Sequence, residues 1–275
     1  MHEINVKRTR EKAIVFLGGG RITGALVAGL RLAGYYKPIV VHDRNPYKLR
    51  QLRRKYGVKV EANLHRAVER ARLLIVAVRP DSVSELLRAI GKVERPLTAV
   101  SLTAGVPLAK LRAGLGPPVR WARAMPSPVC RSGHGLTALT FERGISRSVQ
   151  RDVHNLFARV GPVLAIPESK FDAFTVTYSC SHGYQALAAL ATGAEKLGLD
   201  RKSALTAAAH ALADGISAWR EGNIRLDRLL REAATPGGIA TTVMSSMNKA
   251  GYARVVERGL RAGMARARRT RSSEG

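Results

Sequence analysis

The 275-residue sequence is poor in cysteine and in aromatic residues. Its two cysteines, Cys130 and Cys180, are too few for a disulfide framework, and neither lies in a CxxC pair or a Cys/His cluster. We therefore expect a reducing compartment and no metal site. Aromatic residues make up 5% of the chain, so the stacking platforms that bind single-stranded nucleic acids are scarce.

Long apolar runs are also missing. The first apolar run, Ala13–Leu17, follows a basic start and stops at three glycines. It is too short for the core of a signal peptide, and no stretch approaches the roughly 20 residues that cross a membrane. These absences predict a cytoplasmic protein without membrane contact.

Acidic residues are few beside basic ones. The chain holds 46 Lys and Arg against 20 Asp and Glu, a net charge of +26. Such a charge attracts polyanions at low salt whatever the fold. The arginines are spread along the chain, the densest runs lie near its ends at Lys7–Lys12 and Arg266–Arg271, and no nucleic-acid-binding signature is present. We expect non-specific polyanion contact at most, and keep a nucleic-acid-associated protein as a distant alternative.

What the chain does contain is an alternation of strand-like and helix-like segments in its first part. Short β-branched runs alternate with stretches of helical periodicity, which predicts an α/β fold with a doubly wound parallel sheet in residues 1–166. Residues 167–275 are rich in alanine and leucine and predict an all-helical second domain with a basic tail. The predicted strands are residues 13–17, 37–41, 73–78, 97–102, 119–122 and 136–140.

A glycine-rich turn joins the first strand to the first helix. Gly18 permits a tight turn, and Gly20 lets the backbone approach a pyrophosphate at the N-terminus of the helix. Asp43 ends the second predicted strand 25 residues after Gly18, near the position of a ribose-binding carboxylate. Thr23 stands where the GxGxxG pattern has its third glycine. The turn nevertheless predicts a dinucleotide-binding (Rossmann) domain.

The choice between NADP and NAD depends on three consecutive residues. Asp43 would accept hydrogen bonds from the ribose hydroxyls and repel a 2′-phosphate, which favours NAD. Arg44 would hold that phosphate, which favours NADP, and Asn45 suits either cofactor. We favour NADP and leave NAD possible.

Six segments, in order, resemble the pyrroline-5-carboxylate reductase family over residues 13–268. The family's FIGAGNMAxAL, AVKP, SxxAG, RxMPNTPA, DAVTALSGSGPAY and SPGGTT are matched by FLGGGRITGAL, AVRP, SLTAG, RAMPSP, FDAFTVTYSCSHGY and TPGGIA. These segments are residues 16–26, 77–80, 101–105, 123–128, 171–184 and 235–240.

The resemblance implies a Rossmann domain, a helical domain that pairs two subunits, and hydride transfer from NAD(P)H to the C=N carbon of a cyclic imine carboxylate. It also implies the cofactor positions. The pyrophosphate and adenosine positions match Gly18, Gly20, Arg21, Ile22, Arg44 and Asn45. Positions along the cofactor, beside the nicotinamide and at the reaction site match Val78, Arg79, Pro80, Ala104, Gly105, Met125 and Pro126.

The departures from the family pattern fall where the substrate should lie. The glycines of SGSG give way to Ser179 and Ser181, the proline to His182, and the last threonine of SPGGTT to Ala240. Side chains that would replace the lost donors are Tyr178, Ser181, His182 and Thr241. His182 suits proton delivery, since imidazole is a common general acid, or it is a helix histidine bonded to a backbone carbonyl.

The sequence thus predicts an NAD(P)H-dependent reductase of a cyclic imine carboxylate, resembling pyrroline-5-carboxylate reductase, with a possible change of substrate. A homodimer or higher homo-oligomer is expected. The alternative is a catalytically impaired paralogue that binds the dinucleotide and has a regulatory role.

Overall fold

The computed structural model describes residues 12–222 and 224–272. The basic run Lys7–Lys12, apart from its last residue, lies outside them. The chain divides into two compact units, one comprising residues up to 176 with those from 264 onward, the other residues 177–263. A functional boundary after residue 166 stays a prediction.

The first unit is built on an eight-stranded sheet in the order β3-β2-β1-β4-β5-β6-β7-β8. Strands β1 to β6 run parallel, and β7 pairs antiparallel to β6. The strands are β1 Ala13–Leu17, β2 Ile39–His42, β3 Lys59–Val60, β4 Ala71–Val76, β5 Leu97–Ser101, β6 Val119–Pro126, β7 Thr137–Phe141 and β8 Val163–Ala165.

In the described part of the chain, seven α-helices lie among and after these strands, and five more follow. The first seven are α1 Arg21–Leu32, α2 Pro46–Tyr56, α3 Leu64–Glu69, α4 Val83–Ile90, α5 Leu108–Gly114, α6 Arg147–Ala158 and α7 Glu168–Thr177. The other five are α8 Cys180–Lys196, α9 Arg201–Glu221, α10 Leu226–Ala233, α11 Ile239–Lys249 and α12 Tyr252–Ser272.

The doubly wound α/β fold is confirmed, with local corrections. The strand predicted at 73–78 ends at Val76, so Val78 lies in the following loop, and the strand predicted at 37–41 begins at Ile39, after Pro38. The pairing of β6 with β7 is antiparallel because a short connection joins them, without the crossover helix that parallel neighbours need. The two-residue strand β3 and the short β8 have too few residues to show a period.

Two apolar layers cover the two faces of the sheet. Every residue of β1 is buried, and its side chains alternate between the layers. Ile14 and Phe16 pack in one layer with apolar residues of α1, α2 and α6. Ala13, Val15 and Leu17 pack in the other, with residues of α3, α4 and α5. The glycine turn after Leu17 therefore follows directly on a strand whose residues are all buried.

The second unit buries little of its own apolar surface. Ala191, Ala204 and Ala208 are its buried hydrophobic residues within the described chain. Large apolar side chains face outward instead, among them Leu197, Ile216, Trp219, Leu230 and Ile239. An apolar area of this extent marks an interaction surface. No helix within the described ranges is both long and apolar enough to cross a membrane.

Candidate active site

The turn between β1 and α1 needs glycine at its first position and is open at its third. Gly18 has a φ of +109°, and a Cβ there would lie 2.5 Å from the carbonyl oxygen of Ala77. A Cβ on Gly20 would meet nothing within 4 Å. Gly20 is also the N-cap of α1 and gives it no side-chain cap. The first N–H groups of α1, beginning at Arg21 and Ile22, thus adjoin open space that suits a phosphate.

Thr23, at the position of the third glycine of the pattern, contacts the glycine turn. Its side chain is buried, and its hydroxyl donates to the carbonyl oxygen of Gly18 at 2.6 Å. Gly18 N–H in turn donates to the carbonyl of His42 at 2.8 Å. Gly18 is therefore held on both sides, because its carbonyl accepts from Thr23 and its N–H donates to His42.

Asp43 fastens the glycine turn to the end of β2. Its carboxylate accepts from the backbone N–H of Gly19 at 2.7 Å and from that of Asn45 at 2.8 Å. Lys48 Nζ lies 3.6 Å from the same carboxylate. Two backbone donors and a cation fix this side chain, which orients the turn.

The two residues after Asp43 differ in what holds them. Asn45 caps α2, and its side-chain oxygen accepts from the N–H groups of Tyr47 and Lys48 at 2.9 and 3.4 Å. Arg44 extends from the turn, and its Nη1 donates to Glu85 Oε1 at 2.8 Å. The side chains of Arg44 and Glu85 are 75% and 63% exposed, so this ion pair is exposed to solvent.

The other predicted cofactor residues follow neighbouring strands. Val78, Arg79 and Pro80 come after β4, where Thr103 Oγ1 donates to the carbonyl of Val78 at 3.4 Å. The remaining four are Ala104, Gly105, Met125 and Pro126, after β5 and at the end of β6. The strands β2, β1, β4, β5 and β6 are parallel and adjacent, so all these segments lie along one edge of the sheet. Between β1 and β4 the strand order reverses, which is where open α/β sheets bind ligands.

A buried charge cluster adjoins this edge, and sequence reasoning gave it no role. Arg123 on β6 is 1% exposed, and its guanidinium lies 3.4 Å from Glu168 and 3.5 Å from Asp172 on α7. Burial lowers the pKa of Arg123, and the carboxylates of Asp172 and Glu168 oppose that shift. Glu168 also accepts from the N–H of Leu108 at 2.5 Å, which fixes the start of α5 just after Gly105. Arg123 lies two residues after the buried Trp121 on β6, so both side chains point to the same face of the sheet. This spacing is the signal in the sequence that Arg123 is buried.

The four candidate catalytic residues all belong to the second unit. Tyr178, Ser181 and His182 lie in and just before the first turn of α8, where the hydroxyls of Ser179 and Ser181 are 2.7 Å apart. Thr241 lies on α11, and its hydroxyl donates to the carbonyl of Thr235 at 2.5 Å. Their catalytic roles stay predictions.

The two cysteines differ in their surroundings. Cys130 is buried, and burial raises its pKa to about 12, so its thiol stays protonated and unreactive at neutral pH. Cys180 is the first residue of α8 and is half-buried.

Two family models match the chain. Residues 13–105 match the model described as NADP oxidoreductase coenzyme F420-dependent, and residues 168–270 match pyrroline-5-carboxylate reductase dimerisation. A pyrroline-5-carboxylate reductase of Mycobacterium tuberculosis is 30% identical, over 94% of this chain and 96% of that protein. The Mycobacterium leprae enzyme is 31% identical at the same coverage. The chain belongs to the pyrroline-5-carboxylate reductase family.

Solved members of the family share the fold. A pyrroline-5-carboxylate reductase of Streptococcus pyogenes superposes with a TM-score of 0.86 at 19% identity, covering 94% of this chain and 99% of that one. A pyrroline carboxylate reductase of Plasmodium falciparum, solved with NADP bound, superposes with a TM-score of 0.84 at 18% identity. It covers 95% of this chain and 99% of that one. These structures confirm the fold that the six motifs predicted, and the family itself is shown by the mycobacterial relatives at 30% and 31% identity.

Proposed function

We propose that the protein is an NADPH-dependent reductase of a cyclic imine carboxylate, with pyrroline-5-carboxylate as the first substrate to test. The observation that carries this proposal is the alignment of five predicted cofactor segments at the carboxyl ends of five adjacent parallel strands. Family membership at about 30% identity over nearly the whole chain supports the reaction class.

The open turn fits a dinucleotide. The uncapped first turn of α1 and the space above Gly20 suit the pyrophosphate, and Arg44 suits the 2′-phosphate. Ala104 and Gly105 lie on the β5 side of the crevice, where the resemblance puts the nicotinamide. The bound cofactor supplies a hydride to the imine carbon, which reduces the C=N bond by two electrons.

The chain itself has to hold the imine and move one proton to its nitrogen. Holding the imine in line with the nicotinamide supplies much of the rate enhancement. His182 suits proton delivery because an imidazole is the side chain most often used as a general acid, and Tyr178 and Ser181 are hydroxyl donors in the same segment. Thr241 would have to turn away from the Thr235 carbonyl to donate to substrate.

The assembly and location belong to this proposal. The apolar face of the second unit and its match to a dimerisation model support a homodimer or higher homo-oligomer. We infer a cytoplasmic protein, with non-specific polyanion contact from its charge and no specific nucleic-acid partner.

Oxidation of NADPH and NADH by the purified protein tests the proposal, with pyrroline-5-carboxylate and then a panel of five- and six-membered cyclic imines. Turnover of pyrroline-5-carboxylate would show that the altered segments 178–184 and 235–240 still accept this imine. Activity on another imine alone would show a changed substrate. Bound cofactor without turnover on any imine would contradict the proposal and favour a regulatory paralogue.

Single substitutions then identify the proton donor. The variants are Tyr178→Phe, Ser181→Ala, His182→Gln and Thr241→Val, and the donor is the residue whose loss lowers kcat by about 100-fold or more while NADPH still binds. His210→Gln is the matched control, because His210 is an exposed histidine of α9 paired with Asp214 at 3.1 Å.

A further inference from the structure

We propose that Glu85 lowers the preference of this protein for NADPH over NADH by competing with the 2′-phosphate of NADPH for Arg44. The inference rests on the proposed function and deepens it. Arg44 follows β2, and Glu85 lies in the first turn of α4, after β4. The strands β2 and β4 flank β1. The 2.8 Å ion pair between Arg44 and Glu85 therefore joins the two segments on either side of the glycine turn.

Arg44 is the side chain through which a 2′-phosphate would be recognised. Among the three residues after β2, Asp43 is held by two backbone N–H groups, and Asn45 is held as the cap of α2. Arg44 is 75% exposed and carries five N–H donors, of which the carboxylate of Glu85 engages one nitrogen. Its planar guanidinium matches a phosphate in two-point geometry.

The Arg44–Glu85 pair is weak enough to be displaced. Ion pairs between two solvent-exposed side chains contribute little, because water and salt screen them and both side chains lose rotamer freedom. A phosphate monoester carries about −1.5 to −2 charges at neutral pH, against −1 for a carboxylate. The 2′-phosphate therefore takes Arg44 from Glu85 when NADPH binds.

Glu85 imposes a cost on NADPH that NADH does not meet. With NADPH bound, the ion pair is broken and a carboxylate remains near a phosphate of like charge. NADH has a hydroxyl at this position, so neither effect arises. Glu85 thus reduces the preference for NADPH over NADH that Arg44 would give without it.

Direct binding measurements test this without turnover. Dissociation constants for NADPH and NADH are measured by nucleotide fluorescence at fixed low ionic strength, for the wild type, Glu85→Gln, Arg44→Gln and the double variant. The preference is the Kd for NADH divided by the Kd for NADPH. We expect Glu85→Gln to raise it about three- to tenfold, and Arg44→Gln to lower it below the wild-type value. In the Arg44→Gln background, Glu85→Gln should change it less than twofold.

Glu94→Gln is the matched control. Glu94 is an exposed glutamate whose carboxylate pairs with Lys92 at 3.2 Å, and its substitution removes the same charge from the chain. We expect the wild-type preference in this variant. Adenosine 2′,5′-bisphosphate and 5′-AMP, used as competitors, should show the same dependence on Glu85.

The outcomes separate this inference from the function on which it rests. An unchanged or lowered preference in Glu85→Gln would overturn the inference alone. An equal rise of the preference in Glu94→Gln would also overturn it, because the effect would then come from net charge. An equal rise when Glu85→Gln is added to Arg44→Gln would overturn it as well. Failure of both nucleotides to bind the wild type would overturn the proposed function and this inference together.

Discussion

At the scale of single residues, the glycine turn between β1 and α1 is held by side chains that bond to its backbone. Thr23 and Asp43 both bond to the turn, at the Gly18 carbonyl and the Gly19 N–H. A hydroxyl–carbonyl bond and a carboxylate–amide bond thus set the direction of the glycine peptide groups before any ligand arrives. This is preorganisation, which lowers the ordering cost of binding.

Gly18→Ala and Gly20→Ala should separate folding from cofactor binding. At Gly18 the positive φ and the 2.5 Å approach to Ala77 should lower the free energy of unfolding by roughly 2 to 4 kcal/mol. At Gly20 a Cβ has space, so the loss should stay below about 1 kcal/mol, while the Kd for NADPH rises about tenfold or more as the methyl fills the phosphate space. Thermal unfolding and nucleotide binding check both. Normal NADPH affinity in folded Gly20→Ala would contradict the placement of the pyrophosphate.

At the scale of elements, α1 packs against the turn that follows β6. That turn is a short 3₁₀ helix, Pro128–Ser132, and it approaches α1 most closely at Gly29. A Cβ on Gly29 would overlap the carbonyl oxygen of Cys130 and lie 3.0 Å from Val160 Cγ1. The contact fixes α1, whose N-terminus lies at the predicted phosphate site.

Gly29→Ala should therefore destabilise the protein although alanine favours helices. Overpacking costs about 1 to 3 kcal/mol and exceeds the propensity gain, so Tm at fixed protein concentration should fall. Gly24→Ala is the control in the same helix, because its Cβ would lie 3.7 Å from Leu52 Cδ2 in ordinary contact. This variant should have an unchanged or higher Tm, because its free energy of unfolding should rise by up to about 1 kcal/mol. Equal Tm values for the two variants would refute the packing argument.

At the scale of the whole molecule, the two units differ in how they achieve stability. The sheet unit buries both faces of its central strands, whereas helices α8 to α11 leave large apolar side chains outward. Burial of that surface by a second copy would supply what the unit lacks, since apolar area removed from water stabilises at about 25 cal/mol per Å².

A charge placed on this apolar surface should disrupt assembly. Ile216 is a large exposed apolar residue of α9, and Ile216→Glu should shift the mass in light scattering from a multiple of 29.7 kDa toward the monomer, or cause precipitation. Leu32→Glu, on the sheet unit and at least as exposed as Ile216, should leave the mass unchanged. An unaltered assembly in Ile216→Glu would place the interface elsewhere.

Several features of the fold were open to prediction because they are local. The run Ala13–Leu17, the glycines after it and the periodicity of the next helix fixed the strand, turn and helix by burial and by glycine's access to positive φ. The strand at 136–140 was predicted, but its antiparallel pairing with β6 was not, because pairing direction leaves no period in the sequence. The short strands β3 and β8 were not foreseen either, because they have too few residues to show a period. The prediction of an all-helical second domain gave no helix bounds, and the structure shows that α7 and α8 are separated at residues 178–179.

The sequence by itself determined the family and the α/β and helical halves, since motifs and periodicities are written in neighbouring positions. It also predicted the cofactor segments, which the structure places at the ends of adjacent parallel strands. Only the tertiary structure decided which side chains meet. Arg44 and Glu85 are 41 residues apart, and Arg123 and Asp172 are 49 apart. The order of parallel strands and the return of α7 to β6 bring them together, and no local pattern encodes that order.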